Sequence, residues 1–219
     1  MASVTTTTAN GDVGVLTYAL LDPAAIEASV RSSKAGAVVS FVGYTRDEFQ
    51  GKRVTHLDYE SYTPLALKTL NSILVEARNL PAPDLTAHHC FDHSHIPAPP
   101  PLAPDGTAAP IEITSMIVYH LLGPSPPLTP SLVICVATPH RKEAFVVCEW
   151  LLETVKERLQ VWKREWYDDG TQFTGKDGEG VEGPGGRAKK GVWKENFPVP
   201  LQPSSTSAST PSFVPKILS

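Results

Sequence analysis

Five cationic side chains in this sequence have types and spacings that could do chemistry: Arg46, His140, Arg141, Lys156 and Lys163. The stretch "VKERLQVWKREW", Val155 to Trp166, places Lys156 and Lys163 seven residues apart, with Trp162 directly before the second lysine. Lys156 falls at the edge of an apolar helical stripe, one turn after Leu152. A lysine half-withdrawn from water in this way can serve as a nucleophile or a proton shuttle. Standing alone, it would equally be a lysine laying its stem along an apolar surface. Lys163, just past the helix, reads as a surface charge or a cation beside an aromatic ring.

The stretch "ATPHRKEAF" carries the second group. An apolar run ends at Ala137, Thr138 is placed to cap a helix, Pro139 suits its first turn, and His140 and Arg141 open it. A helix N-terminus offers unpaired N–H groups and a partial positive charge. Two cations there are unfavourable unless an anion joins them, which points to a phosphate or carboxylate ligand. Arg46 lies in a polar loop, "YTRDEFQGKR", where a lone arginine is ordinarily solvated. The cluster "HHCFDHSH" crowds His88, His89, Cys90, Asp92, His93 and His95 together. Its spacing matches no zinc pattern and it runs straight into prolines, so no metal site is expected. Cys135 and Cys148 lie in apolar runs and read as core residues. There is no Gly-rich phosphate loop and no GxSxG elbow.

These side chains need elements to hold them. "DPAAIEASVRS" has Asp22 at an N-cap position and Pro23 at the first helical position. "GAVVSFVG" reads as a buried strand and "VTHLDYES" as a half-buried one. "TPLALKTLNSILVEAR" has helical apolar spacing after a threonine cap. "IEITSMIVYH" and "SLVICVAT" read as two further strands, and "HRKEAFVVCEWLLETVKERL" as the longest helix. "VWKENF" is a short ordered return. Without regular alternation of strand and helix, the expected fold is α+β: one compact domain with a largely antiparallel sheet, packed helices and long Pro/Gly-rich insertions.

Ten of the 21 prolines fall between Pro97 and Pro130. An insertion is expected at about 88–112, and a Gly-rich one at about 168–191. Residues 1–12 read as a disordered leader, 13–199 as the domain and 200–219 as a flexible tail. The net charge of −4 gives no electrostatic reason to expect nucleic acid. No apolar run is long enough for a membrane span, and the N-terminus lacks signal-peptide character. Three cysteines without a CxxC pair fit a reducing, cytoplasmic setting.

Taken together, these stretches resemble the large, catalytic subunit family of molybdopterin synthase. "GAVVSFVGYTRDEFQGKRVTHLDYESYTPLALKTLNSILVEAR" is similar to the family's first half, with its Gly-x-x-Arg loop. "VYHLLG" resembles a strand carrying His-Arg-x-Gly, with Leu121 where arginine is usual. "VATPHRKEAF" resembles the family's His-Arg helix start, and "VKERLQVWKRE" its Leu-Lys…Trp-Lys-x-Glu segment. "VWKENF" resembles its last Trp-containing strand. The likeness covers about residues 13–80 and 114–197, and the two insertions are the main departures.

The resemblance implies a sulfurtransferase that converts cyclic pyranopterin monophosphate into molybdopterin during molybdenum cofactor biosynthesis. The sulfur comes from the C-terminal thiocarboxylate of a small ubiquitin-like subunit. Large subunits dimerise and the whole is a heterotetramer. The implied substrate-binding residues are Arg46, His140, Arg141, Lys156 and Lys163, with Lys156 and Lys163 catalytic and Trp162 packed to fix their approach. The second insertion precedes Trp193 and Lys194, so neither is assigned a role. No cofactor or metal is implied. The alternatives are a non-catalytic module that docks a ubiquitin-like tail, and a metal-binding protein using the His88–His95 cluster.

Overall fold

The computed structural model describes residues 3–82 and 109–170, together with the backbone of two short strands at 172–173 and 194–195. The order of elements is β1 (Val4–Thr7), β2 (Val13–Thr17), α1 (Pro23–Ser29), β3 (Ala37–Tyr44), β4 (Glu48–Phe49), β5 (Lys52–Ser61) and α2 (Thr63–Ala77). Then follow β6 (Ser115–Leu121), β7 (Gly123–Ser125), β8 (Pro130–Thr138), α3 (Arg141–Arg158), β9 (Val161–Tyr167), β10 (Gln172–Phe173) and β11 (Lys194–Glu195). One sheet runs β1-β2-β6-β8-β3, with β2 and β6 parallel and the other pairs antiparallel. The second runs β10-β9-β5-β4, with β7 on β5 and β11 on β9, all antiparallel. This is the expected α+β class with a largely antiparallel sheet.

Strand periodicity explains the layers. In β8, Ile134 and Val136 face the cluster built with α2 and α3. Val133, Cys135 and Ala137 face the cluster built with α1. A strand buried on both faces must be apolar throughout, as "LVICVA" is. Helix α1 begins as its sequence dictates: Asp22 accepts hydrogen bonds from the N–H groups of Ala24 and Ala25, and proline stands in the first turn. Helix α2 presses Leu70 onto β2 at Gly14, where a Cβ would come within 2.5 Å of Leu70 Cδ2.

The expectation of a disordered leader over residues 1–12 does not hold. Val4–Thr7 is an edge strand on β2, and Asn71 Nδ2 donates to Thr6 Oγ1 at 2.8 Å. The turn uses Gly11 at φ 84, in the left-handed region where glycine costs least. Asp12 is fully buried, and its carboxylate receives Arg78 Nε at 2.6 Å and Arg78 Nη2 at 2.7 Å. Arg78 Nη1 donates to the Ile113 carbonyl at 2.9 Å, so one guanidinium ties the hairpin, α2 and the approach to β6 together. The β-branched run and the Asn10-Gly11 turn signal were the available clues.

The polar loop expected at 44–53 is instead a hairpin: β4 and β5 join through Gln50 and Gly51, both at positive φ. The Pro-rich insertion is closed at its base. Ala82 N–H donates to the Ala109 carbonyl at 2.8 Å and Ile111 N–H to the Leu80 carbonyl at 2.9 Å. The excursion therefore leaves and returns at one point. Ile111, at the expected end of about 112, already belongs to the core.

His120 on β6 is buried, with its ring edge-on to Tyr59 at 5.1 Å. Its Nδ1–H donates to the Leu121 carbonyl at 2.7 Å. Burial lowers its pKa from 6.5 to about 4. Between these values the unfolded chain takes up a proton that the folded chain refuses, so stability falls with pH through that window, by about 3 kcal/mol. Urea unfolding at pH 7 and pH 4.5 should show this loss in the wild type, and a smaller one in His120→Phe. Equal pH dependence in both would contradict the assignment.

Candidate functional site

The two lysines of the opening motif come from consecutive elements that meet at one end of the molecule. Lys156 lies in the last turn of α3, with 34% of its side chain exposed, over the Phe41 ring at 6.0 Å. Glu153 approaches its ammonium at 3.6 Å. Its place at the edge of the apolar stripe is as expected: Val155 and Leu151 are buried and Leu152 is half-buried.

Lys163 is not a charge hanging past a helix. It lies on β9, where Val161, Glu165 and Tyr167 are buried and Lys163, on their face by strand parity, is half-buried. Lys163 pairs with Tyr59 of β5 and has 26% of its side chain exposed. Its ammonium meets Glu165 Oε1 at 2.9 Å. Trp162 is on the opposite face by strand parity, with Arg164 and Trp166, so it cannot fix the approach of Lys163. On that opposite face His56 stacks on Trp166 at 5.5 Å. The sequence missed this strand because its inward positions include a lysine and a glutamate, while tryptophans occupy the other face.

A hydrogen-bonded wall links the two lysines. Tyr59 OH donates to Ser131 Oγ at 3.4 Å, and Ser131 Oγ donates to the Gly43 carbonyl at 3.3 Å. The Phe41 ring lies against Gly43, where a Cβ would come within 3.3 Å of it. Burial pushes the Tyr59 hydroxyl up, while the Ser131 hydrogen bond and the nearby Lys163 charge act against that shift. The wall is hydrogen-bonded from Tyr59 through Ser131 to Gly43, and both lysines border it.

Arg46 follows β3 at this same end. It is exposed, with its guanidinium 5.8 Å from the Phe49 ring centroid. Thr45, directly before it, is buried and shares a 2.7 Å hydrogen bond with Ser125, which anchors the loop.

His140 and Arg141 lie elsewhere. His140 is the N-cap of α3 rather than a residue of its first turn, and the helix begins at Arg141. Thr138 does not cap the helix N–H groups; its hydroxyl donates to the His140 carbonyl at 2.7 Å. Glu143 accepts from the His140 N–H, half of a capping box, and burial pushes its carboxyl up. Both His140 and Arg141 are exposed. Arg141 and Lys156 bracket a continuous helix of 18 residues, which separates them by about 22 Å along its axis. Strand β3 runs alongside: Gly36, at its start, meets the Pro139 carbonyl, and Arg46 follows its far end. One chain therefore gathers Arg46, Lys156 and Lys163 at one end, and His140 with Arg141 at the other.

Cys135 and Cys148 are buried free thiols, as expected, and burial pushes Cys148 up to about 11. The His88–His95 cluster, Trp193 and most of both insertions lie outside the described residues. Among the described residues no group of three or more metal-ligating side chains converges, and no helix is long and apolar enough to cross a membrane. Strand β11 pairs Lys194 opposite Lys163, so Lys194–Glu195 return as a strand on β9.

A family model described as "MoaE protein" matches residues 16–96 and 105–158, which takes in Lys156 and ends before Lys163. A protein of Phaeosphaeria nodorum named molybdopterin synthase catalytic subunit is 37% identical over 168 residues, 74% of this chain and 73% of its own. A Culex quinquefasciatus protein of the same name is 34% identical over 155 residues, 71% of this chain and 80% of its own. The crystal structure of molybdopterin synthase from Staphylococcus aureus aligns with TM-score 0.53 and 26% identity, over 73% of this chain and 95% of that one.

Proposed function

From a chain that belongs to the MoaE protein family, we infer a sulfurtransferase that makes molybdopterin from cyclic pyranopterin monophosphate. It is an enzyme of molybdenum cofactor biosynthesis. The sulfur donor is the C-terminal thiocarboxylate of a small ubiquitin-like subunit. The observation that carries the site assignment is the pair of half-buried lysines, Lys156 and Lys163, bordering one hydrogen-bonded wall.

The chemistry needs positive charge held close to two anions, the cyclic phosphate and the thiocarboxylate. Lys156 is the central catalytic residue. Its ammonium is only loosely engaged by Glu153, so it is free to move a proton as sulfur attacks or to face the anion left after transfer. Lys163 holds the tail or the substrate as a fixed charge. Arg46, on its anchored loop, supplies a guanidinium for phosphate or pterin oxygens.

His140 and Arg141 complete the pocket only if they come from a second protomer, because α3 holds them about 22 Å from Lys156 in their own chain. The working unit is accordingly a homodimer of large subunits with a small subunit at each end, and each pocket spans the dimer interface. A complementation assay tests this. Lys156→Ala and the double variant His140→Ala/Arg141→Ala are each inactive alone. Mixed in equal amounts and allowed to exchange subunits, they regain about a quarter of wild-type activity, because half the dimers are hybrids and each hybrid has one intact pocket. No recovery despite demonstrated exchange would confine each pocket to one chain.

The docking-module alternative is addressed by reconstitution. Wild-type protein, a thiocarboxylated small subunit and cyclic pyranopterin monophosphate should yield dithiolene product in a single turnover. A bound partner without product would favour docking alone.

A further inference from the structure

We propose that Glu165 and Tyr167 are positioning residues that lock Lys163 in place, so that the two lysines of the pocket do different jobs. The proposal rests on the reading above only for what the locked charge is used for. Along the inner face of β9, every second residue belongs to one chain of contacts. Lys163 Nζ meets Glu165 Oε1 at 2.9 Å, and Tyr167 OH donates to Glu165 Oε2 at 2.9 Å. The Glu165 side chain is only 9% exposed and Tyr167 is buried. Both carboxylate oxygens are thus engaged, one by the ammonium and one by the phenol.

A buried ion pair is a weak device for stability, because an apolar pair of similar volume would do as well. Its use lies in geometry. A free lysine carries four rotatable bonds, whereas a lysine pinned at 2.9 Å by an immobile carboxylate keeps its head in one place. Tyr167 makes the carboxylate immobile: burial and the neighbouring Glu165 charge push its hydroxyl up, so it stays a donor. The ammonium has three N–H groups, so Lys163 can hold Glu165 and still donate to an incoming anion. Lys156 has no such restraint. Its glutamate stands 3.6 Å away and is 52% exposed. The pocket therefore has one fixed cation for holding an anion and one mobile cation for moving a proton.

The test pairs a direct readout with a kinetic one, on Glu165→Gln and Tyr167→Phe. The second variant removes a single hydroxyl and guards against a folding defect in the first. In the wild-type protein alone, NMR of the lysine ammonium groups should show one slowly exchanging signal, assigned to Lys163 by its loss in Lys163→Ala. Both variants should lose or broaden it. An unchanged signal in both overturns the proposal. In reconstituted enzyme, both variants should turn over at least about tenfold slower, with apparent small-subunit affinity within about twofold of wild type. In a Lys163→Ala background, neither should cost more than about twofold. A tenfold loss that persists in that background would mean the pair acts through structure and not through Lys163. Absence of product from wild type would sink the assigned reaction, while the ammonium signal would still decide the positioning.

Discussion

Lys156→Ala should lower single-turnover sulfur transfer by roughly 10²–10⁴-fold while leaving the fold intact, the range expected for loss of a positioned proton-transfer group. The fold should survive because the ammonium is held only loosely, by Glu153 at 3.6 Å and the Phe41 ring at 6.0 Å, and the side chain is a third exposed. Its ammonium lies over the Phe41 ring at 6.0 Å, and Phe41 is only half-buried, so truncation uncovers the ring without opening a cavity in the core. The effect should be kinetic: binding of the small subunit changes little, and Lys156→Arg, which keeps the charge but replaces the compact ammonium with a planar guanidinium, should retain binding without full turnover. Near-wild-type product formation by Lys156→Ala would move catalysis to another residue and leave Lys163 as the first candidate.

Arg78→Ala should be the most destabilising single change outside the apolar core. It strands the fully buried Asp12 carboxylate with only the Thr8 hydroxyl, at 3.1 Å, and frees the Ile113 carbonyl. Breaking a buried pair from one side costs about 3–5 kcal/mol. For a domain of this size that is a fall in melting temperature on the order of 10 °C. Asp12→Asn, which removes the charge and keeps hydrogen-bonding capacity, should cost less. Thermal melts of the two variants check the order, and a Tm drop of only a degree or two in Arg78→Ala would show that water replaces the guanidinium. The surface pair of Arg158 with Glu76 gives the contrast. Both partners are 40% exposed, and at such exposure a short ion pair contributes at most about 1 kcal/mol.

Much of this molecule was legible in its residues. The helices α2 and α3 followed from apolar spacing, α1 from its Asp22 cap and Pro23, and the strands β3 and β8 from continuous apolar runs; β8 is buried as expected, whereas β3, at the sheet edge, is only half-buried. Asp22 was a cap by type and proved one by geometry. Thr138 was a cap by type and not by geometry, since the helix began two residues later, at Arg141, than a Thr138 cap requires. Elements whose inward side chains are polar left no such mark. Strand β1 carries threonines, and β9 turns Lys163 and Glu165 inward, so each was read as something other than a strand.

The sequence alone determined which side chains are candidates for chemistry, and through their order and spacing the family to which the chain belongs. Side-chain type fixes what a group can do, and that information is local. Where the groups stand relative to one another is not local. Only the tertiary structure showed that strand parity separates Trp162 from Lys163, and that Glu165 pairs with that lysine while accepting from Tyr167. It alone set His140 and Arg141 at the far end of α3 from Lys156, because the rise of a continuous helix converts fifteen residues into about 22 Å.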